Sequence, residues 1–261
     1  MSGTPVHLRD VVGFLDATLE IERFRDYAPN GLQVEGRTEV TRVVTGVSAS
    51  AELLARAVAV DADLVVVHHG LVWGSGISSV VGPLARRLKL LLANDISLAA
   101  YHLPLDKHAR LGNNAGIADA IGLGSARDAF GDVRGTALGL AGGWSAPITR
   151  DEALAKIAAG ITPGQPSRFV FPHGPAVVRK VGICSGAASD LLEAAAHAGC
   201  DVFITGELAE RAADLAAELQ ITLVAAGHYA TEVFGAQRLA AELRTRFPQL
   251  VAEFVPAPNP L

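Results

Sequence analysis

A chain of 261 residues in which 50% are hydrophobic and 19% charged has enough apolar material for one large core or two modest ones, and disorder is excluded. Its 22 Lys and Arg against 27 Asp and Glu leave a formal net charge of −5, and no basic tract interleaves with aromatics, which argues against nucleic acid and anionic lipid as partners. No apolar run approaches the ~20 residues that cross a bilayer. The first ten residues already carry His7, Arg9 and Asp10 where an export signal would be apolar, so a cytoplasmic location is expected.

Ala-rich helical periodicities alternate with short β-branched runs, the pattern of an α/β protein with largely buried strands. In chain order the sequence predicts a helix over 8–19, a strand over 42–47, a helix over 51–59, a strand over 64–67, a helix over 82–93 and a strand over 97–101. A helix over 115–121, a strand over 137–140 and a helix over 150–159 follow, the last with Thr149 as N-cap and Glu152 closing a capping box. Strands over 168–171 and 177–184, a helix over 189–198, a strand over 201–205, a helix over 209–218, a strand over 222–226 and a helix over 232–246 complete the set. The Gly- and Pro-rich stretch 160–175 reads as a surface loop, and the only biased tail is the Pro-rich end 255–261.

Residues 43–69 lie over 181–207 at a constant offset of 138 without a gap. Val43 meets Val181, Leu53 and Leu54 meet Leu191 and Leu192, Asp63 meets Asp201, and the strand that follows ends at His69 in one copy and Glu207 in the other. The next strand recurs as well, with Ile96-Ser97-Leu98 over Ile221-Thr222-Leu223, and one residue further His102-x-x-x-Asp106 lies over His228-x-x-x-Glu232. The expectation is an α/β fold of two similar lobes arising from an internal repeat, with a metal cleft between them. The lobes are expected over 1–125 and 126–261, with about 225–261 returning to the metal site.

Imidazole and carboxylate suit divalent metals such as Zn, Mn and Fe, and here they collect at the ends of apolar strands, where α/β sheets bind ligands. His68 and His69 close one strand; adjacent strand residues point to opposite faces, so both can serve one site only if the strand has ended and the chain turns at Gly70. His102 closes the next strand, and Pro104 is expected to prevent an immediate helix and leave Asp106 in a loop. If a helix starts near Tyr229, Glu232 shares a face with His228. Glu207 either lines the same cleft or caps the next helix. His7, His108, His173 and His197 read as ordinary histidines, while Cys184 and Cys200 lack the spacing of a disulfide framework or a thiolate zinc site.

Asn30-Gly31-Leu32-Gln33-Val34, Val67-His68-His69-Gly70-Leu71-Val72-Trp73, His102-Leu103-Pro104-Leu105-Asp106, Leu111-Gly112-Asn113-Asn114, Phe203-Ile204-Thr205-Gly206-Glu207 and Gly227-His228-Tyr229-x-x-Glu232 together resemble one family. It is that of the type 2 homologues of GTP cyclohydrolase I, also called NGG-interacting-factor-like proteins. The motifs run in order over nearly the whole chain, whose length resembles the short form of the family.

The resemblance implies a dinuclear metal site with two divalent ions per subunit (Zn, Mn or Fe), held by His68, His69, Asp106, His228 and Glu232, with Glu232 bridging and catalytic. His102 is implied as a close neighbour that either supports the ligands from behind or transfers a proton. A toroidal homohexamer, a trimer of dimers, is implied too. The chemistry expected of such a site is hydrolysis of a small anionic or heterocyclic substrate, and the family name makes that opening of the GTP imidazole ring. No organic cofactor motif and no Gly-x-x-x-x-Gly-Lys-Ser/Thr loop is present. The alternative is a non-enzymatic metal chaperone, sensor or scaffold built on the same residues.

Overall fold

The computed structural model describes residues 4–164, 167 and 169–260. The chain divides into two compact units: one runs as far as Leu105 and also takes in Gly235–Pro258, and the other comprises Asp106–Phe234. The first change of unit falls at Leu105, twenty residues before the boundary expected from the sequence.

The first unit is built on a five-stranded sheet in the order Val251–Phe254, Arg42–Ser48, Leu64–His69, Ser97–Ala100 and Gly31–Val34. The first four strands are parallel and Gly31–Val34 is antiparallel, with an irregularity at Gln33. Val44, Val65 and Leu98 pack with Leu53, Leu54 and Ala57 of helix Ala51–Ala59 and with Leu91 of helix Gly82–Leu92. The neighbouring Thr45, facing the opposite way along its strand, donates its hydroxyl to the Ala236 carbonyl at 2.7 Å. Helix Leu8–Leu19 buries Leu8, Val11, Val12, Leu15 and Leu19, a stripe of helical spacing, and Phe14 meets Phe247 edge to face at 5.6 Å.

The second unit has a six-stranded sheet in the order Phe169–Pro172, Thr222–Ala225, Val202–Thr205, Val181–Ile183, Thr136–Gly142 and Arg127–Val133. Its three central strands are parallel and the others run antiparallel to their neighbours. Ile117 and Ile121, with Ile157 and Ile161 of helix Arg150–Ile161, pack on Val181, Ile183, Val202, Ile204 and Val224. Burying such side chains is worth about 1.5–3 kcal/mol each, which makes these the residues that hold the sheet.

The internal repeat is present in the hydrogen bonding of both units. Asp63 Oδ2 accepts from the backbone N–H of Thr41 at 2.7 Å and Arg42 at 2.9 Å, and Asp201 Oδ2 accepts from Arg179 at 2.6 Å and Lys180 at 3.0 Å. Ala62 N–H donates to the Ala57 carbonyl as Cys200 N–H does to that of Ala195, and Ile96 pairs with Leu91 as Ile221 does with Ala216. Left-handed backbone recurs at Asp61 and Gly199 (φ 51° and 77°) and at Asp95 and Gln220 (51° and 54°).

Helices Leu8–Leu19 and Ala51–Ala59 have the ends the sequence predicts, and the Thr149–Glu152 capping box is formed. Other expectations need correction. The stretch 177–184 is two strands, Val177–Val178 and Val181–Ile183, because the N–H groups of Arg179 and Lys180 between them are taken by Asp201. Pro104 does not prevent a helix: Leu103–Lys107 is one, with the proline in the first turn, where its missing N–H costs nothing. The strand Leu64–His69 continues through both histidines. Strands Gly31–Val34, Arg127–Val133 and Val251–Phe254 were not anticipated, and helix His228–Arg246 begins four residues earlier than expected. The expected strand start at Arg168 lies outside the described residues, and that strand begins at Phe169.

Candidate functional site

In the first unit three imidazoles come together where the parallel strands end. The ring centroids of His68 and His69 are 4.5 Å apart, and those of His102 lie 5.1 and 5.7 Å from them. One ligating nitrogen from each of the three lies within 4.8 Å of the others. His68 is fully buried and its Nδ1–H donates to the Tyr101 carbonyl at 2.9 Å, which leaves Nε2 as the nitrogen with a lone pair. His69 Nδ1 shares a 3.0 Å hydrogen bond with Ser48 Oγ, and Ser48 is its register partner on the neighbouring strand.

His102 Nδ1–H donates to Asp26 Oδ1 at 2.7 Å. Asp26 also accepts from Asn30 Nδ2 at 3.0 Å, the Leu103 N–H at 2.9 Å and the Tyr27 N–H at 2.6 Å. Burial would raise this carboxyl, but the His102 contact and the other hydrogen bonds outweigh it and hold the group below its ordinary range. Asn30 Oδ1 in turn accepts from the His102 N–H at 2.8 Å. Gln33 Oε1 accepts from Leu71 and Val72 at 2.8 and 3.1 Å and so fixes the turn after the histidine pair. A Cβ on Gly70 would lie 2.2 Å from that same oxygen and 2.7 Å from the packed Ala100 Cβ, so the turn favours glycine.

In the second unit Asp106, His228 and Glu232 form a mixed imidazole and carboxylate group. Asp106, nearly buried, accepts through Oδ1 from Ser185 Oγ at 2.7 Å and Asn113 Nδ2 at 2.9 Å, while Asn114 Oδ1 accepts from the Ser185 N–H. A carboxylate oxygen of Asp106 and one of Glu232 lie within 4.8 Å of each other. His228 Nε2 is 3.1 Å from Glu232 Oε1, and its Nδ1 is 2.6 Å from Glu207 Oε1. Burial pulls the imidazole down, but Glu232 and then Glu207 outweigh it and raise His228 to about 9. Gly186, at φ 67°, permits this arrangement, because a Cβ there would lie 2.4 Å from Glu232 Oε1. Cys184 is buried, and its thiol is pushed far up by that burial and by Asp106.

The sequence-derived residues thus fall into two groups, each assembled within its own unit. Glu207, left open between lining a cleft and capping a helix, reaches His228, and the next helix begins only at Ala212. His7 caps helix Leu8–Leu19 by accepting from the Arg9 N–H, His108 accepts from Arg110 and Leu111, and His173 and His197 are exposed. Sequence reasoning missed Asp26, Ser48 and Ser185. Asp26 carried a signal, since an aspartate four residues before an Asn-Gly pair is a side chain placed to bind its own loop.

The chain matches the model of one protein family over residues 6–260 and belongs to that family, Duf34/NIF3 (NGG1p interacting factor 3). Among curated relatives it is 42% identical to the GTP cyclohydrolase 1 type 2 homolog of Archaeoglobus fulgidus (92% of this chain, 94% of the relative) and 40% to that of Yersinia pestis (94% and 96%). Among solved structures it is similar to protein ybgI, described as of unknown function, with a TM-score of 0.89 and 38% identity over 98% of this chain and 100% of the other. A protein of Thermus thermophilus follows with a TM-score of 0.85 and 33% identity over 98% and 100%. Among the described residues no helix is long and apolar enough to cross a membrane.

Proposed function

We propose that the protein is a metal-dependent hydrolase and that His68, His69, Asp106, His228 and Glu232 are the protein ligands of two divalent ions. The observation that carries this reading is the donor chemistry of the two groups, three imidazoles in one unit and an imidazole with two carboxylates in the other. The residues fit such ions. His68 presents Nε2 with its other nitrogen fixed by a carbonyl, and Gly186 leaves room for the Glu232 carboxylate. When bound, such ions would activate water near neutral pH and offset the charge on the attacking and leaving oxygens.

The chain's own residues then divide the remaining work. Asp26 fixes the tautomer and ring plane of His102, whose Nε2 is left to take or give a proton at the reacting group. Ser185 and Asn113 orient the Asp106 carboxylate. The name of the curated relatives supports GTP as the substrate to test first, with hydrolytic opening of the purine imidazole ring. The working assembly in this reading is a toroidal homohexamer in the cytoplasm.

Elemental analysis of untagged protein reconstituted with Zn, Mn or Fe is expected to give two ions per subunit, and less than about one rejects the reading. Reconstituted protein is then tested on nucleotides, phosphoesters and cyclic amides. Turnover that falls sharply in Glu232→Ala and His69→Ala, with the assembly mass unchanged, supports the hydrolase; metal-loaded protein without turnover on any class favours a metal chaperone or scaffold.

A further inference from the structure

Two aromatic side chains stand beside the imidazole cluster with much of their surface in solvent. Tyr27 is 47% exposed and Trp73 41%. The Trp73 ring lies 5.1 Å from that of His102 and 5.8 Å from that of His69, and the Tyr27 ring lies 6.2 Å from His102. Neither is a loose tip. Trp73 Nε1–H donates to the Gly70 carbonyl at 3.2 Å, and the Gly74 N–H donates to the Tyr27 carbonyl at 2.7 Å, tying the two loops together. The Tyr27 N–H donates to the same Asp26 oxygen that accepts from His102, so one carboxylate sets the position of an imidazole and of an aromatic residue.

Exposed aromatic surface gains nothing for the fold it stands on, whereas rings held in fixed positions lose little conformational freedom when a ligand covers them. A flat ring stacks on such faces with a gain that an aliphatic group of equal area lacks. Nitrogen or oxygen atoms at the edge of that ring suit the imidazole groups alongside. We propose that Tyr27 and Trp73 form a stacking platform that recognises a planar heteroaromatic ring and so selects the substrate of the histidine cluster. The proposal deepens the hydrolase reading and rests on it for the chemistry that follows binding.

The chain has two tryptophans, so Trp144→Phe leaves Trp73 as the only one, and its fluorescence reports ligand contact. Guanosine and adenosine monophosphates are expected to quench it saturably, while ribose 5-phosphate, which has the sugar and phosphate without the ring, does not. Tyr27→Ala in this background is expected to weaken nucleotide binding roughly 5- to 100-fold, whereas Tyr27→Phe retains it. Calorimetry on Trp73→Ala should show a loss of the same order. The proposal is overturned if ribose 5-phosphate binds as tightly as the nucleotides, if neither nucleotide binds, or if Tyr27→Ala binds unchanged. It is also overturned if Trp73→Ala alters the solution mass while nucleotide binding persists, since the pair is then a subunit contact. Metal content measured on the same samples separates the two readings: nucleotide quenching without metal uptake sinks the hydrolase, and metal uptake without quenching sinks the platform alone.

Discussion

Asp26 Oδ1 lies 2.7 Å from His102 Nδ1, and the carboxylate that makes this contact is almost wholly withdrawn from solvent. Its other bonds reach Asn30, Tyr27 and the backbone of Leu103, so one side chain joins the loop before strand Gly31–Val34 to the end of strand Ser97–Ala100. Replacing Asp26 with Ala strands these donors and should cost about 2–4 kcal/mol. Asp26→Asn, which keeps one acceptor oxygen, should cost less. Urea unfolding of both variants checks the order, and an Asp26→Ala protein as stable as the parent would contradict it.

Asp63 links acid stability to the fold. Burial raises its carboxyl, but the backbone and side-chain bonds from Thr41 and Arg42 and the charge of Arg37 outweigh this and lower it. A group depressed in the folded state contributes stability above its unfolded value, about 3.9, and loses it as pH falls through the lower folded value. The protein should therefore weaken below about pH 4, and Asp63→Asn should flatten that part of the stability curve while lowering the neutral plateau. Thermal melts between pH 3 and 7 provide the measurement.

Gly186→Ala tests the approach of Glu232. The new methyl would meet the Glu232 carboxylate at 2.4 Å, whereas at Gly122, also left-handed at φ 76°, nothing lies within 4 Å. Backbone strain of about 1–2 kcal/mol is common to both substitutions. Only Gly186→Ala should reduce metal uptake as well, and equal uptake by the two variants would remove the glycine from the site.

Cys184 and Cys200 are free and buried, and burial raises both thiols, that of Cys200 to about 11. A thiol reagent at pH 8 should label neither in the native protein, and labelling should follow the rate of opening. Rapid labelling of Cys184 in native protein would show that the Asp106 region is open to solvent.

Apart from Val251–Phe254, the parallel strands and most helices were legible in the sequence because each carries its own apolar run or stripe, as in Leu64–Val67 or Leu8 through Leu19. Strand Arg127–Val133 was not, since Phe130 alone of its seven residues is buried and Gly131 interrupts it at φ 67°. The candidate ligands were legible because the repeat doubles a histidine and an acid four residues apart. Asp26 and Ser185 were not, since their roles come from partners 76 and 79 residues away in the chain. The sequence also showed Asp63 and Asp201 as a match in the repeat, but only the fold reveals that each clamps two successive amides where a neighbouring strand starts.

Strand Val251–Phe254 pairs with Arg42–Ser48, and the whole of Asp106–Phe234 is encoded between them. On the ribosome, therefore, the first unit begins to be made before the second but cannot close until the second has emerged. Until then the Arg42–Ser48 edge, rich in valine, is open to pairing with another nascent chain. Translation that stops before Val251 should yield a second unit able to fold and a first unit that aggregates.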